Sequence, residues 1–134
     1  MDDIDLDFTE AIASGDVATV MQFVDGAKVD VNTPDRDGDV PLHVASKKNQ
    51  LVVAEYLLQM GAGIDVVDEN GWTALHEATL NGSEEMVRVL LKWGADKTIR
   101  NQDGRHALDL AVQYGHGPIV FLLCDGHDPD LGFF

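Results

Sequence analysis

The sequence predicts an all-α repeat solenoid, a stack of helix pairs joined by β-hairpin loops, with about four units including caps. Three observations lead there. Gly38, Gly71 and Gly104 recur at intervals of 33 residues. Leu42, Leu75 and Leu108 keep that interval, as do Ala45, Ala78 and Ala111, and Leu57, Leu90 and Leu123. Between these positions, apolar residues fall at the i, i+3, i+4 spacing of amphipathic helices. So many matches in one register mark repeated units, none of which can bury its apolar face alone.

The elements follow in chain order. Residues 6–24 read as two helices of a first unit without its hairpin. Ala11, Gly15 and Val24 fall 34 residues before Ala45, Asn49 and Leu58, so the loop over 26–32 carries one extra residue. Each later unit opens on a polar stretch ending at Gly38, Gly71 or Gly104, as a tight turn requires. First helices are predicted near 42–48, 75–81 and 108–114, their Leu and Ala inward. Asn49, Gly82 and Gly115 close them, because Asn and Gly accept the left-handed conformation. Second helices carry Val53, Tyr56 and Leu57, then Met86, Val89 and Leu90; Pro118 opens the last, where its missing N–H costs little. The whole chain, 1–134, reads as one domain: a capping unit at 1–34, units at 35–67 and 68–100, a closing unit at 101–124, and an acidic, aromatic tail at 125–134.

At these residues the sequence resembles the ankyrin-repeat family. The family's hairpin and first-helix pattern is matched by Asn70, Gly71, Trp72, Thr73, Ala74, Leu75 and His76. Its later segments are matched by Val89, Leu90 and Leu91 and by Gly94, Ala95 and Asp96. The likeness covers about residues 5–123 and implies an L-shaped stack with a protein-binding role. It also implies a hydrogen bond between Thr73 and His76 across the start of a helix. Val40 replaces that threonine in the preceding unit, so His43 needs another partner. His106 and Asp109 reverse the pair in the last unit.

Composition narrows the function. The 134 residues hold 24 acids against nine Lys plus Arg, a formal charge of -15. Such a field repels phosphate, so neither nucleic acid nor an anionic membrane surface is an expected partner. A single cysteine, Cys124, fits a reducing compartment, and the beginning of the sequence does not read as a signal peptide. The expected setting is cytoplasmic, with the nucleus also open.

Nothing in the sequence calls for a catalytic residue, a cofactor or a metal. Asp35, Asp37 and Asp39 resemble part of a calcium loop, but the late bidentate Glu is missing and the same pattern recurs as a turn. Cys124 and His127 have half a zinc spacing without a second pair. The acidic ends, with Asp2, Asp3, Asp125, Asp128 and Asp130, read as solubilising caps; Phe133 and Phe134 have no assigned role.

Family resemblance places partners along the concave face of hairpin tips and first helices. Carried over by register, that face holds Arg36, Asp39, Lys47 and Lys48 in one unit and Glu69, Trp72, Leu80 and Asn81 in the next. The last unit contributes Arg100, Gln102, Asp103, Arg105, Gln113 and Tyr114. Five of the nine basic residues fall there, which favours a partner segment with acidic and apolar groups. Trp72, Leu80 and Tyr114 stand where stacking does not require apolar side chains, and Trp and Tyr are frequent hot spots. The expected function is a monomeric scaffold, adaptor or steric inhibitor. The alternative is a regulatory or targeting segment of a larger enzyme or channel.

Overall fold

A computed structural model describes residues 4–26 and 29–124. Eight helices are formed among them: α1 (Ile4–Ser14), α2 (Val17–Asp25), α3 (Pro41–Lys47), α4 (Leu51–Gln59), α5 (Ala74–Asn81), α6 (Glu84–Lys92), α7 (Ala107–Gln113) and α8 (Gly117–Leu123). They pair in sequence order, and the pairs stack. An inner row runs α1, α3, α5, α7, and an outer row α2, α4, α6, α8. Residues 125–134, with the acidic groups, His127 and two phenylalanines of the tail, lie outside the described residues, as do Asp2 and Asp3.

The stacking positions explain the rows. Ala45, Ala78 and Ala111 are fully buried on successive inner helices, where a larger side chain would hold neighbours apart. Leu57, Leu90 and Leu123 fill the space between inner and outer rows. Each inner helix ends where the sequence places a left-handed residue: Asn49 at φ 56°, Gly82 at 72° and Gly115 at 70°. The helices start one residue earlier than the repeat predicts, at Pro41, Ala74 and Ala107. The outer row is tied laterally by Tyr56 donating to Asp25 at 3.0 Å and Trp93 donating to Glu55 at 2.6 Å.

The loops between units are turns closed by two backbone hydrogen bonds each, one of them donated by the glycine N–H, and no strand forms among the described residues. Asp35 N–H donates to the Asp39 carbonyl at 2.8 Å, Asp68 N–H to Trp72 at 2.9 Å, and Asn101 N–H to Arg105 at 2.9 Å. The leading side chain locks each turn. Asp35 Oδ1 accepts from the N–H groups of Asp37 and Asp39, Asp68 Oδ1 from Asn70 and Trp72, and Asn101 Oδ1 from Asp103 and Arg105. Of the acids that resembled a calcium loop, Asp35 is thereby engaged with the backbone, and Asp39 is engaged with Lys47 at 2.7 Å. Among the described residues no group of three or more His, Cys, Asp or Glu is placed to hold a metal ion.

Two histidines fasten one unit to the next. His43 Nδ1 accepts from Val40 N–H at 3.4 Å, which leaves Nε2 to donate to the Val66 carbonyl at 2.8 Å. That carbonyl lies in the loop leading to the next hairpin; at Nδ1, where Val40 offers no hydroxyl, the Val40 N–H is the contact that His43 keeps. His76 repeats the arrangement, with Nδ1 on Thr73 N–H at 3.0 Å and Nε2 on the Arg105 carbonyl at 3.0 Å. The Thr73 hydroxyl also lies 2.9 Å from His76 Nδ1. Burial holds the His76 pKa below its ordinary value, so the ring stays neutral and keeps one donor and one acceptor. In the last unit His106 Nδ1 lies 3.1 Å from Asp109 Oδ2, the reversed pair.

Gly71 and Gly104 separate two costs of a side chain in these turns. Both have positive φ, 79° and 76°. A Cβ on Gly71 would also lie 3.1 Å from the Asn101 Cα and 3.1 Å from the Gln102 nitrogen, whereas at Gly104 it would meet nothing within 4 Å. Gly104→Ala is predicted to lower unfolding free energy by about 1–2 kcal/mol, the left-handed penalty alone. Gly71→Ala is predicted to cost clearly more, because backbone of the next unit must move. Equal losses in paired denaturant titrations would contradict this close contact.

Candidate functional site

The inner row carries the candidate surface. Register puts Arg36, Glu69 and Gln102 at equivalent hairpin positions, and Asp39, Trp72 and Arg105 at the next set. On the inner helices Lys47, Leu80 and Gln113 are equivalent, as are Lys48, Asn81 and Tyr114. Arg36, Lys48, Glu69, Asp103 and Gln113 are exposed; Trp72 and Leu80 are half-buried, and Asp39 is buried. Tyr114 is 51% exposed, a large aromatic surface with no neighbouring unit over it in the described structure.

Several of these side chains are engaged within the stack. Asn81 Nδ2 donates to the Lys47 carbonyl at 2.8 Å and the Ser46 carbonyl at 3.2 Å, capping the end of α3. Gln102 reaches back to the Glu69 carbonyl at 2.6 Å, and its N–H meets the Asn70 carbonyl at 3.0 Å. Arg105 donates to Gln113 at 2.5 Å. Arg100 donates to the Gly104 carbonyl at 2.8 Å and lies 3.7 Å from Asp109. Trp72 packs at a tilt of 51° against His76 with ring centroids 5.6 Å apart, so the indole covers the junction histidine. Its remaining surface is open.

Charge on this face is a mosaic. Lys47 Nζ meets Asp39 Oδ2 at 2.7 Å and Glu77 Oε2 at 4.0 Å. Burial alone would lower the Lys47 pKa, but the Asp39 hydrogen bond and the charges of Glu77, Asp39 and Asp68 outweigh it and raise it. Lys48 forms no ion pair among the described residues and stays exposed. The positive strip inferred from sequence is therefore interrupted at Lys47.

Glu77 is the residue that reading by register missed. It stands one helical turn before Leu80 and Asn81 on α5, where Val44 and Leu110 occupy the equivalent positions. Those two are buried apolar residues; Glu77 is a carboxyl with only 8% of its surface exposed. Burial pushes its pKa up to about 7, the acids Asp68 and Asp39 push the same way, and Lys47 opposes them. An acid breaking an apolar column was the available signal.

Two rows of stacked helices, tied by hairpins and displaying unlike polar side chains along the inner row, define a repeat solenoid of the binding class. Family models for ankyrin repeats match residues 8–101, as repeats in three copies, and residues 103–132 as a further repeat. The chain belongs to the ankyrin-repeat family, whose repeats are protein-interaction modules. It is 41% identical over 59 residues to Palmitoyltransferase AKR1 of Naumovozyma castellii, covering 43% of this chain and 8% of that protein. It is 32% identical over 57 residues to Palmitoyltransferase akr1 of Schizosaccharomyces pombe, covering 42% of this chain and 9% of that protein. The matched stretch thus spans less than a tenth of either relative. No helix among the described residues is long and apolar enough to cross a membrane.

The Glu77 shift has a direct consequence for stability. Its pKa rises from an ordinary 4.5 to about 7 on folding, so between those values the native state holds a proton that the unfolded chain has released. Stability from that proton is complete below pH 4.5 and lost as pH rises through about 7. Wild type should lose on the order of 1–3 kcal/mol relative to Glu77→Gln between mildly acidic and mildly alkaline pH. Parallel stability–pH profiles for the two proteins would show that the carboxyl is not held protonated.

Proposed function

We propose that this chain is a non-catalytic adaptor or steric inhibitor that holds a partner protein along its inner row. One observation carries the reading. Positions that face neighbouring units repeat the same residue, as with Leu42, Leu75 and Leu108 or Ala45, Ala78 and Ala111. Positions on the open face differ from unit to unit, as with Arg36, Glu69 and Gln102 or Lys48, Asn81 and Tyr114. Stacking accounts for the repeated set, whereas in the varied one only some members, such as Asn81 and Gln102, bond to a neighbouring unit. A varied surface on a repetitive frame is what recognition of an irregular partner requires.

Exposed Arg36 and Lys48 supply unpaired positive charge, and Trp72 and Tyr114 supply aromatic area. Together they suit a partner segment bearing acidic and apolar groups. The net charge of -15 disfavours self-association, which supports action as a monomer. One cysteine in 134 residues supports a reducing compartment, the cytoplasm or nucleus.

A second reading draws on the relatives. Both are named palmitoyltransferases and match this chain only through a short part of their own length. This supports the chain as a regulatory or targeting segment of a larger enzyme, its repeats again serving to bind protein. Purification at native size separates the two readings.

Capture of partners from native extract tests the face. Tyr114→Ala should reduce the amount captured by about tenfold or more while leaving the melting temperature unchanged. Trp72→Ala should reduce capture similarly but also lower the melting temperature, because it uncovers His76. Lys48→Glu should slow association and flatten its salt dependence. Undiminished capture by all three variants would place the binding surface elsewhere.

A further inference from the structure

A cavity of about 140 Å³ opens between α1, the first hairpin and α3. The repeat explains why it exists. At the next two junctions an imidazole crosses from the inner helix to the following hairpin: His43 to the Val66 carbonyl and His76 to the Arg105 carbonyl. The first unit runs at an offset of 34, so the residue equivalent to His43 is Thr9. The carbonyl positions equivalent to Val66 and Arg105 are Thr33 and Asp39. Thr9, Thr33 and Asp39 all line the cavity. A threonine is too short to span the gap an imidazole spans, and the first junction is left with a hole in the place of its bridging ring.

The lining says what would enter. Phe8, Pro41 and Val44 provide apolar wall, the first and last of them 5% and 7% exposed. Asp30, Asp35 and Asp39 provide three carboxylates. Lys47 pairs with Asp39 Oδ2 at 2.7 Å, and no Lys or Arg is among the described lining residues. An apolar cavity of roughly this size accommodates a benzene ring, so one side chain is the right scale. The side chain must carry apolar bulk along its stem and several donors at a positively charged tip. Arginine has that form: a long apolar stem, and a planar head of five N–H groups that pairs with carboxylates and carbonyls.

We infer that this cavity is a socket for an arginine side chain of a partner protein, standing in for the imidazole that fastens the later junctions. It goes beyond the open face of Trp72 and Tyr114, adding a separate anchor at the first junction. The positive charge it receives is opposite in sign to what Lys48 and Arg36 favour, so the partner carries both signs in a set order. Occupancy would bridge α1 to the first hairpin and tighten the least fastened junction of the stack.

The test uses the full chain, isotopically labelled for amide NMR, and two short capped peptides that differ only in Arg or Glu flanked by leucines. The Arg peptide should give saturable shifts at Phe8, Thr33 and Val44, and the Glu peptide none. Thr9→His should raise the melting temperature, by restoring the bridge of the later junctions, and abolish those shifts. Asp35→Asn preserves the turn, since Asn101 makes the same backbone bonds in its own hairpin, and should weaken the Arg peptide by about tenfold. In the NMR titrations any of these would overturn the socket: no saturable shift, equal response to both peptides, shifts that persist in Thr9→His and Asp35→Asn, or the same shifts on concentrating the protein alone. The last would mean a second copy fills the cavity. Capture that depends on Tyr114 but not on Thr9 removes the socket and leaves the open-face reading intact.

Discussion

Everything in this molecule depends on the contact between one helix pair and the next. A pair of helices of seven to eleven residues is too short to be stable by itself in water. Each inner helix has apolar surface on two sides, and only the units before and after can cover it. The fully buried alanines set how closely the units approach, and the buried leucines fill the space toward the outer row. The junction histidines add direction to this apolar contact. A neutral imidazole with one acceptor nitrogen at its own helix start and one donor toward the following unit fixes both distance and register.

That division of labour frees the inner row for recognition. Backbone groups in each hairpin are satisfied by one leading Asp or Asn, and the unit-to-unit contact is satisfied by Leu, Ala and His. Side chains at Arg36, Lys48 and Tyr114 are then available to a partner without cost to the frame, while Trp72 also covers His76. Some neighbours are not so free: Asn81 caps α3, Gln102 ties two hairpins and Lys47 is held by Asp39. Glu77 stands apart as a carboxyl in an apolar column, a strained choice that the stack would replace by a Val or Leu if packing alone decided.

Fold and surface were not equally legible in the sequence. The 33-residue period located the inner helices α3, α5 and α7 to within a residue at each end, because glycines, leucines and alanines at fixed intervals have no other simple cause. The same register put Arg36, Lys48, Glu69 and Tyr114 at exposed positions, but it also put Asp39 on that face, where the structure buries it against Lys47. What register omits is contact across elements. That Lys47 folds onto Asp39 eight residues earlier, or that Glu77 is buried, follows from how α3 and α5 meet. The cavity was hidden for a related reason. Thr9 is recognisable as a missing histidine only after the first unit is aligned at 34 residues rather than 33 and the imidazole bridges are seen in place.

The central claim is that no unit is stable without its neighbours. Circular dichroism of the isolated segment 68–100, which contains α5, α6 and the second hairpin, tests it directly. The account predicts a largely unstructured peptide with no cooperative melting, while the full chain melts cooperatively and shows strong helical signal. A segment that folds and melts alone, with native helix content, would contradict it.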